Sequence, residues 1–124
     1  MARITGIGGV FQKVADVERT RKWYAETLGM TGDWGALFRF KDDDPEGFSQ
    51  MALFKADSDY FAPSERPYML NLRVDDLDGL VADLEAKGVE ILGRQDEPYG
   101  RFAWIMDPEG MKLELWQQLG PAPE

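Results

Sequence analysis

Apolar and polar residues alternate along this chain with two periods, and the order of those periods repeats. Residues 4–14, with glycines at 6, 8 and 9, read as a strand. Val17, Thr20, Trp23, Tyr24 and Leu28 then recur at helical spacing. Asp16 precedes them as a residue whose carboxylate can accept from first-turn amides, and Gly29 follows as a left-handed stop. Residues 36–40 and 49–55 predict two more strands across an acidic joint containing Pro45 and Gly47. After a polar segment with Pro63 and Pro67, the pattern starts over. Residues 68–74 alternate like a strand. Leu77, Leu80, Val81 and Leu84 form one helical face between an Asp75 or Asp76 cap and a Gly88 stop. Residues 89–92, 101–106 and 111–117 predict three further strands. Asp107-Pro108-Glu109-Gly110, between the last two, has Pro second and Gly fourth, as a type I turn prefers.

The repetition reaches individual residues. Val14-Ala15-Asp16-Val17 opens a stretch closing at Leu28-Gly29-Met30, and Val74-Asp75-Asp76-Leu77 opens one closing at Lys87-Gly88-Val89. Met51-Ala52-Leu53-Phe54 is echoed by Leu113-Glu114-Leu115-Trp116. A repeat of this length sets the architecture. The expected fold is α+β, with two βαβββ half-units at about 1–56 and 67–118, a linker at 57–66, and one domain over 1–124. A sheet covered by a helix on one face leaves its other face open. Two such half-units therefore form curved mixed sheets around a shared concave cavity.

Composition narrows the chemistry. The chain has no cysteine, which excludes disulfides and thiolate chemistry. It has no histidine, so it lacks the commonest general base near neutral pH and the commonest transition-metal ligand. Its 14 basic and 23 acidic residues give a net charge of -9. That balance repels phosphate backbones and anionic lipid, so neither nucleic acid nor a membrane surface is an expected partner, whereas a cationic small molecule is attracted. No apolar run approaches the ~18 residues of a membrane-spanning helix, and no secretory signal stands at the start, so a cytoplasmic protein is expected.

Strand parity separates the cavity face from the helix face. If position 9 faces the cavity, so do Phe11 and Lys13. Met69, Asn71 and Arg73 share that face on the next half-unit's first strand, and Lys112, Glu114 and Trp116 share it on the last. Leu70, Leu72, Val74, Leu113 and Leu115 then pack behind, and Gln12 is out of place among helix-facing residues.

The run from Gly9-Val10-Phe11-Gln12-Lys13-Val14-Ala15-Asp16 to Trp23-Tyr24 and Leu28-Gly29 resembles the opening of the vicinal oxygen chelate superfamily, which includes glyoxalase I, bleomycin-resistance proteins and extradiol dioxygenases. Leu70-Asn71-Leu72-Arg73-Val74-Asp75-Asp76-Leu77 and the stretch from Gly100 to Trp116 resemble its second half, the Asp-Pro-Glu-Gly turn with Leu-Glu-Leu most specifically. In catalytic members of that superfamily a divalent metal is held by the first and last strands of each half. The resemblance puts those positions on Gly9, Met69, on or near Ala52, and on Glu114. Glycine and alanine offer no donor and methionine a soft thioether, so no metal and no cofactor are expected.

Glu114 keeps two readings: a cation anchor or general base, or a carboxylate paired with Lys13, Arg73 or Arg101 as structural support. Trp34, Trp104 and Trp116 with Phe11, Phe38, Tyr60 and Tyr99 are candidates for an aromatic wall. The expected function is a metal-independent small-molecule-binding protein of the bleomycin-resistance type, with Phe11, Lys13, Met69, Asn71, Arg73, Trp104, Glu114 and Trp116 around an aromatic or cationic ligand. The resemblance implies a homodimer. Alternatives are a metal-independent lyase or isomerase using Glu114 with Lys13 or Arg73, a glyoxalase-like metalloenzyme, and an interaction module whose cavity its own side chains fill.

Overall fold

The protein is represented by a computed structural model, which describes residues 10, 12, 14–33, 35–38 and 45–121. Helix α1 spans Val17–Leu28. The Asp16 carboxylate accepts from the Arg19 amide at 3.0 Å, and Gly29 at φ 68° ends the helix with its amide returned to Ala25. Helix α2 spans Leu77–Ala86, capped by Asp76 rather than Asp75, whose carboxylate accepts from Gly79 at 3.1 Å. Both helices thus start and stop where short polar residues and glycines satisfy the orphan groups of their ends.

Strands β1 (Leu70–Arg73), β2 (Gly93–Glu97), β3 (Gly100–Met106) and β4 (Lys112–Gln118) form one open mixed sheet in the order β1-β4-β3-β2. β1 runs parallel to β4, while β2 with β3 and β3 with β4 are antiparallel. From β1 through α2 to β4, the second half has the predicted order of strand, helix and three strands.

One face of the sheet carries the core. Leu77, Leu84, Ile105, Met111, Leu113 and Leu115 are fully buried. Val81, Ala103 and Tyr24 complete the cluster, with Leu70, Leu72 and Val74 packed against it as parity requires. Tyr24 belongs to α1, so the first-half helix contributes to the core of the second-half sheet. Its hydroxyl donates to buried Asp107 at 2.7 Å, and Gln12 lies against the same hydroxyl. The other Asp107 oxygen accepts from the amides of Glu109 and Met111 at 2.8 and 2.9 Å, which closes the Asp-Pro-Glu-Gly turn.

Two expectations are corrected. The strand predicted at 89–92 lies at Gly93–Glu97 instead. Val89 and Ile91 approach the core, and the ladder begins as the Leu92 amide donates to Trp104 O at 2.8 Å. Gly-Arg-Gln-Asp-Glu has little strand propensity of its own, so pairing with β3 prevails, and charge suits a sheet edge. The second correction concerns the first half. Residues 36–38 and 47–55 carry no strand, and no ladder joins them to another described segment. Without a neighbour to satisfy its amides, an alternating sequence has no reason to become a strand. Met51 and Leu53 are accordingly 74% and 88% exposed. The remaining residues of the 4–14 and 36–40 strands lie outside the described residues, as does the Asp42-Asp43-Asp44 run.

Leu113→Ala should therefore destabilise by about 2–5 kcal/mol in urea unfolding, whereas Leu53→Ala should stay within about 0.5 kcal/mol of the parent.

Candidate functional site

Alternation along the strands puts a second set of side chains on the sheet face turned away from the helices. β4 contributes Lys112, Glu114, Trp116 and Gln118, β3 contributes Phe102 and Trp104, and β1 contributes Asn71 and Arg73. The register pairs Asn71 with Glu114, Trp104 with Glu114, and Phe102 with Trp116, so the carboxylate sits between an amide and an indole.

Glu114 is 8% exposed. Its Oε1 accepts from Asn71 Nδ2 at 2.8 Å, and its Oε2 accepts from Trp104 Nε1 at 2.8 Å and from the Tyr60 hydroxyl at 2.6 Å. All three donors are neutral, and among the described residues Glu114 makes no ion pair. Hydrogen bonds to an ionised acceptor are the strong ones, so a nearly buried carboxylate can persist here without a salt bridge. Lys112 stands close by. Its ammonium donates to the Tyr60 carbonyl at 2.7 Å and lies 5.4 and 5.6 Å from the ring centres of Tyr60 and Trp104. Burial draws its pKa below the ordinary 10.5, against the pull of Glu114 and Asp59.

The cover over this face comes from the segment read as a linker and the residues before it. Tyr60 meets Trp104 edge to face at 6.2 Å and stacks with Phe54 at 5.2 Å. Phe48 meets Trp116 at 5.1 Å, and Phe102 stacks with Trp104 at 6.4 Å. Trp116 approaches Gly100 so closely that a Cβ there would lie 2.7 Å from its Nε1, which explains glycine at the start of β3. That indole nitrogen is buried without a hydrogen-bond partner among the described residues.

The structure thus brings Asn71, Trp104 and Glu114 together, with Arg73 and Trp116 one step along the same face. Met69 is half-buried and Tyr99 and Phe38 are largely exposed, while Phe11, Lys13 and Trp34 lie outside the described residues. The expected support of Glu114 by Arg73 or Arg101 is corrected. Arg101 shares the parity of Ala103 and Ile105, so it projects to the helix side and pairs with Asp78 at 3.0 Å. Arg73, in register with Trp116, lies 5.4 Å from that ring and donates to Gln118 and Phe48. No Glu114–Arg73 acid–base pair is assembled. Tyr60 as a direct Glu114 partner was not legible from the sequence. The one signal was an aromatic pair, Tyr60-Phe61, inside a polar segment.

The donor set does not fit a divalent metal. Met69 offers a thioether, Ala52 a methyl group, and both oxygens of Glu114 are engaged by protein donors. Among the described residues, no three acidic side chains converge.

A model of the glyoxalase-like domain matches residues 9–116. The chain belongs to the glyoxalase-like family. Its place in the glyoxalase/bleomycin resistance/dioxygenase superfamily follows, and with it the vicinal oxygen chelate fold. This glyoxalase-like chain is 31% identical over 134 residues to a probable chloroplastic lactoylglutathione lyase of Arabidopsis thaliana, covering 93% of the chain and 36% of that protein. It spans about a third to a half of the length of the curated relatives it matches. Among solved structures, TnmS3, an antibiotic binding protein from Streptomyces sp. CB03234, is 30% identical with a TM-score of 0.52, covering 85% of this chain and 88% of that one. A protein from the mobile metagenome of V. Pseudocholerae shares the fold at a TM-score of 0.60 and 19% identity, covering 94% and 97%.

Two outcomes follow for the glyoxalase-like chain. Dialysis against EDTA should leave its thermal midpoint unchanged, and a drop would mean that a metal contributes. Burial, then Asp107, raises the hydroxyl pKa of Tyr24 above its ordinary 10.0, and burial, then Glu114, does the same for Tyr60. A raised folded pKa gives stability that is complete below the unfolded value and lost as pH climbs past it. The urea midpoint should therefore fall above pH 10.0, and less steeply in Tyr24→Phe.

Proposed function

We propose that this protein is a metal-independent binder of an aromatic or cationic small molecule, seated on the open sheet face between its aromatic side chains and Glu114. The observation that carries the reading is the state of that carboxylate. It is nearly buried and, among the described residues, accepts hydrogen bonds from the neutral donors Asn71, Tyr60 and Trp104, with Phe54 stacked on Tyr60. Such a site sets a carboxylate beside aromatic faces, the pairing that recognises cations and flat rings. Asn71, Arg73 and Trp116 extend the face, and Met69, Phe11 and Lys13 are the remaining proposed lining residues.

The chain's net charge of -9 favours the approach of a cation. The kinship with an antibiotic binding protein at 30% identity supports sequestration of a small molecule over turnover. We also propose that the first half completes a second βαβββ unit in a homodimer. The support is the exposure of Met51 and Leu53 on a segment whose alternation suits a sheet.

The test is a thermal-shift screen against aromatic cations and neutral planar aromatics, followed by calorimetry. At least one compound should stabilise the protein, and Glu114→Gln should weaken a cationic hit by about tenfold or more, as expected for a lost charge-assisted contact. A screen without any shift, or a cation bound equally well by Glu114→Gln, would remove the basis for this reading.

A further inference from the structure

The Tyr60 side chain is held as a ligand would be. Its hydroxyl donates to Glu114 at 2.6 Å, one face stacks on Phe54 at 5.2 Å, Trp104 meets it edge to face at 6.2 Å, and the Lys112 ammonium lies 5.4 Å from its ring centre. Together these specify a phenol: an acceptor for the hydroxyl, aromatic walls for the ring, and a cation for the π cloud. Yet Tyr60 is not part of the sheet that supplies Glu114 and Trp104. It is 38% exposed and sits in a segment whose backbone bonds are local, from Ser58 to Lys55, Ala62 to Asp59 and Ser64 to Phe61. Tyr60 makes two hydrogen bonds to the sheet, its hydroxyl to Glu114 and its carbonyl from Lys112, so its withdrawal would cost no ladder.

We propose that Tyr60 is an intramolecular stand-in for the ligand, and that the ligand class of this site is a hydroxyl-bearing aromatic that displaces the Tyr60 phenol from Glu114. This rests on the open-face binding reading above and names its chemistry. The Tyr60 hydroxyl and a ligand hydroxyl would compete for the same Glu114 oxygen. Apparent affinity is then the intrinsic affinity reduced by the fraction of molecules in which Tyr60 has withdrawn. A role for Tyr60 as one wall of the site predicts the reverse, because removing its hydroxyl could then only leave binding unchanged or weaken it.

Tyr60→Phe keeps the ring and deletes the competitor's hydrogen bond. The probes are p-cresol, which carries the hydroxyl, and 4-methylanisole, in which a methyl group blocks it. Binding is followed by tryptophan fluorescence and checked by calorimetry. Tyr60→Phe should bind p-cresol about tenfold tighter than the parent and show no comparable gain for 4-methylanisole. Equal or weaker p-cresol binding, or an equal gain for both probes, would overturn the proposal. The comparison between probes is made within one variant, so it survives any change in that variant's stability. Should the parent bind aromatic cations while Tyr60→Phe gains nothing for p-cresol, displacement falls and the binding function stands. Should no aromatic compound bind the parent and neither probe bind the variant, both fall.

Discussion

The buried hydrogen bond from the Tyr24 hydroxyl to Asp107 at 2.7 Å ties helix α1 of the first half to the second-half hairpin. Asp107 also closes the β3–β4 turn through the amides of Glu109 and Met111, so the residue that receives the helix α1 tyrosine also sets the hairpin. The turn gathers further ties. The Glu109 carboxylate accepts from the Ala15 amide at 2.9 Å, the Glu109 carbonyl from Arg66 at 2.8 Å, and the Gly110 carbonyl from the Ser64 hydroxyl at 2.6 Å. The start of α1, the end of the 56–67 segment and the central hairpin therefore meet at four residues. Buried polar groups that lose a partner are costly, so each of these ties favours the others.

The hairpin fixed in this way decides what each face of the sheet can do. Leu113 and Leu115 supply the core while Glu114 and Trp116, between and after them, supply the open face. A slip of one residue would exchange the two sets, burying the carboxylate among leucines. The neutral donors around Glu114 follow from the same register, since Asn71 and Trp104 are its partners on either side. The candidate site and the folding core are in this sense written on alternate positions of one strand.

Much of this was legible in the sequence, for reasons that can be named. The alternation at 112–116, the aspartate and glycine at the ends of each helix, and the Asp-Pro-Glu-Gly turn are local signals with local causes. β2 was misplaced because its polar residues become a strand only through pairing with β3. The strand expected at 49–55 has the alternation but no described neighbour. The Tyr60 contact joins residues separated by 54 positions, and no period or spacing encodes it. Arg101 is different: it shares the parity of Ala103 and Ile105 and opposes that of Trp104, so alternation alone puts it on the helix side whatever its charge.

The cover over the open face is built unlike the floor. Floor residues are tied to neighbouring strands at every second position, whereas residues 51–60 are all exposed and joined to the sheet through side chains and one carbonyl. Changes in the floor must respect register, core volume and hydrogen bonding at once. Changes in the cover need respect only a few bonds to the sheet, those of Tyr60 to Glu114 and Lys112 and of Phe48 to Arg73. On the binding reading proposed above, insertions, deletions and aromatic exchanges between 48 and 61 would change which side chains stand over Glu114 while leaving the sheet's ladders intact.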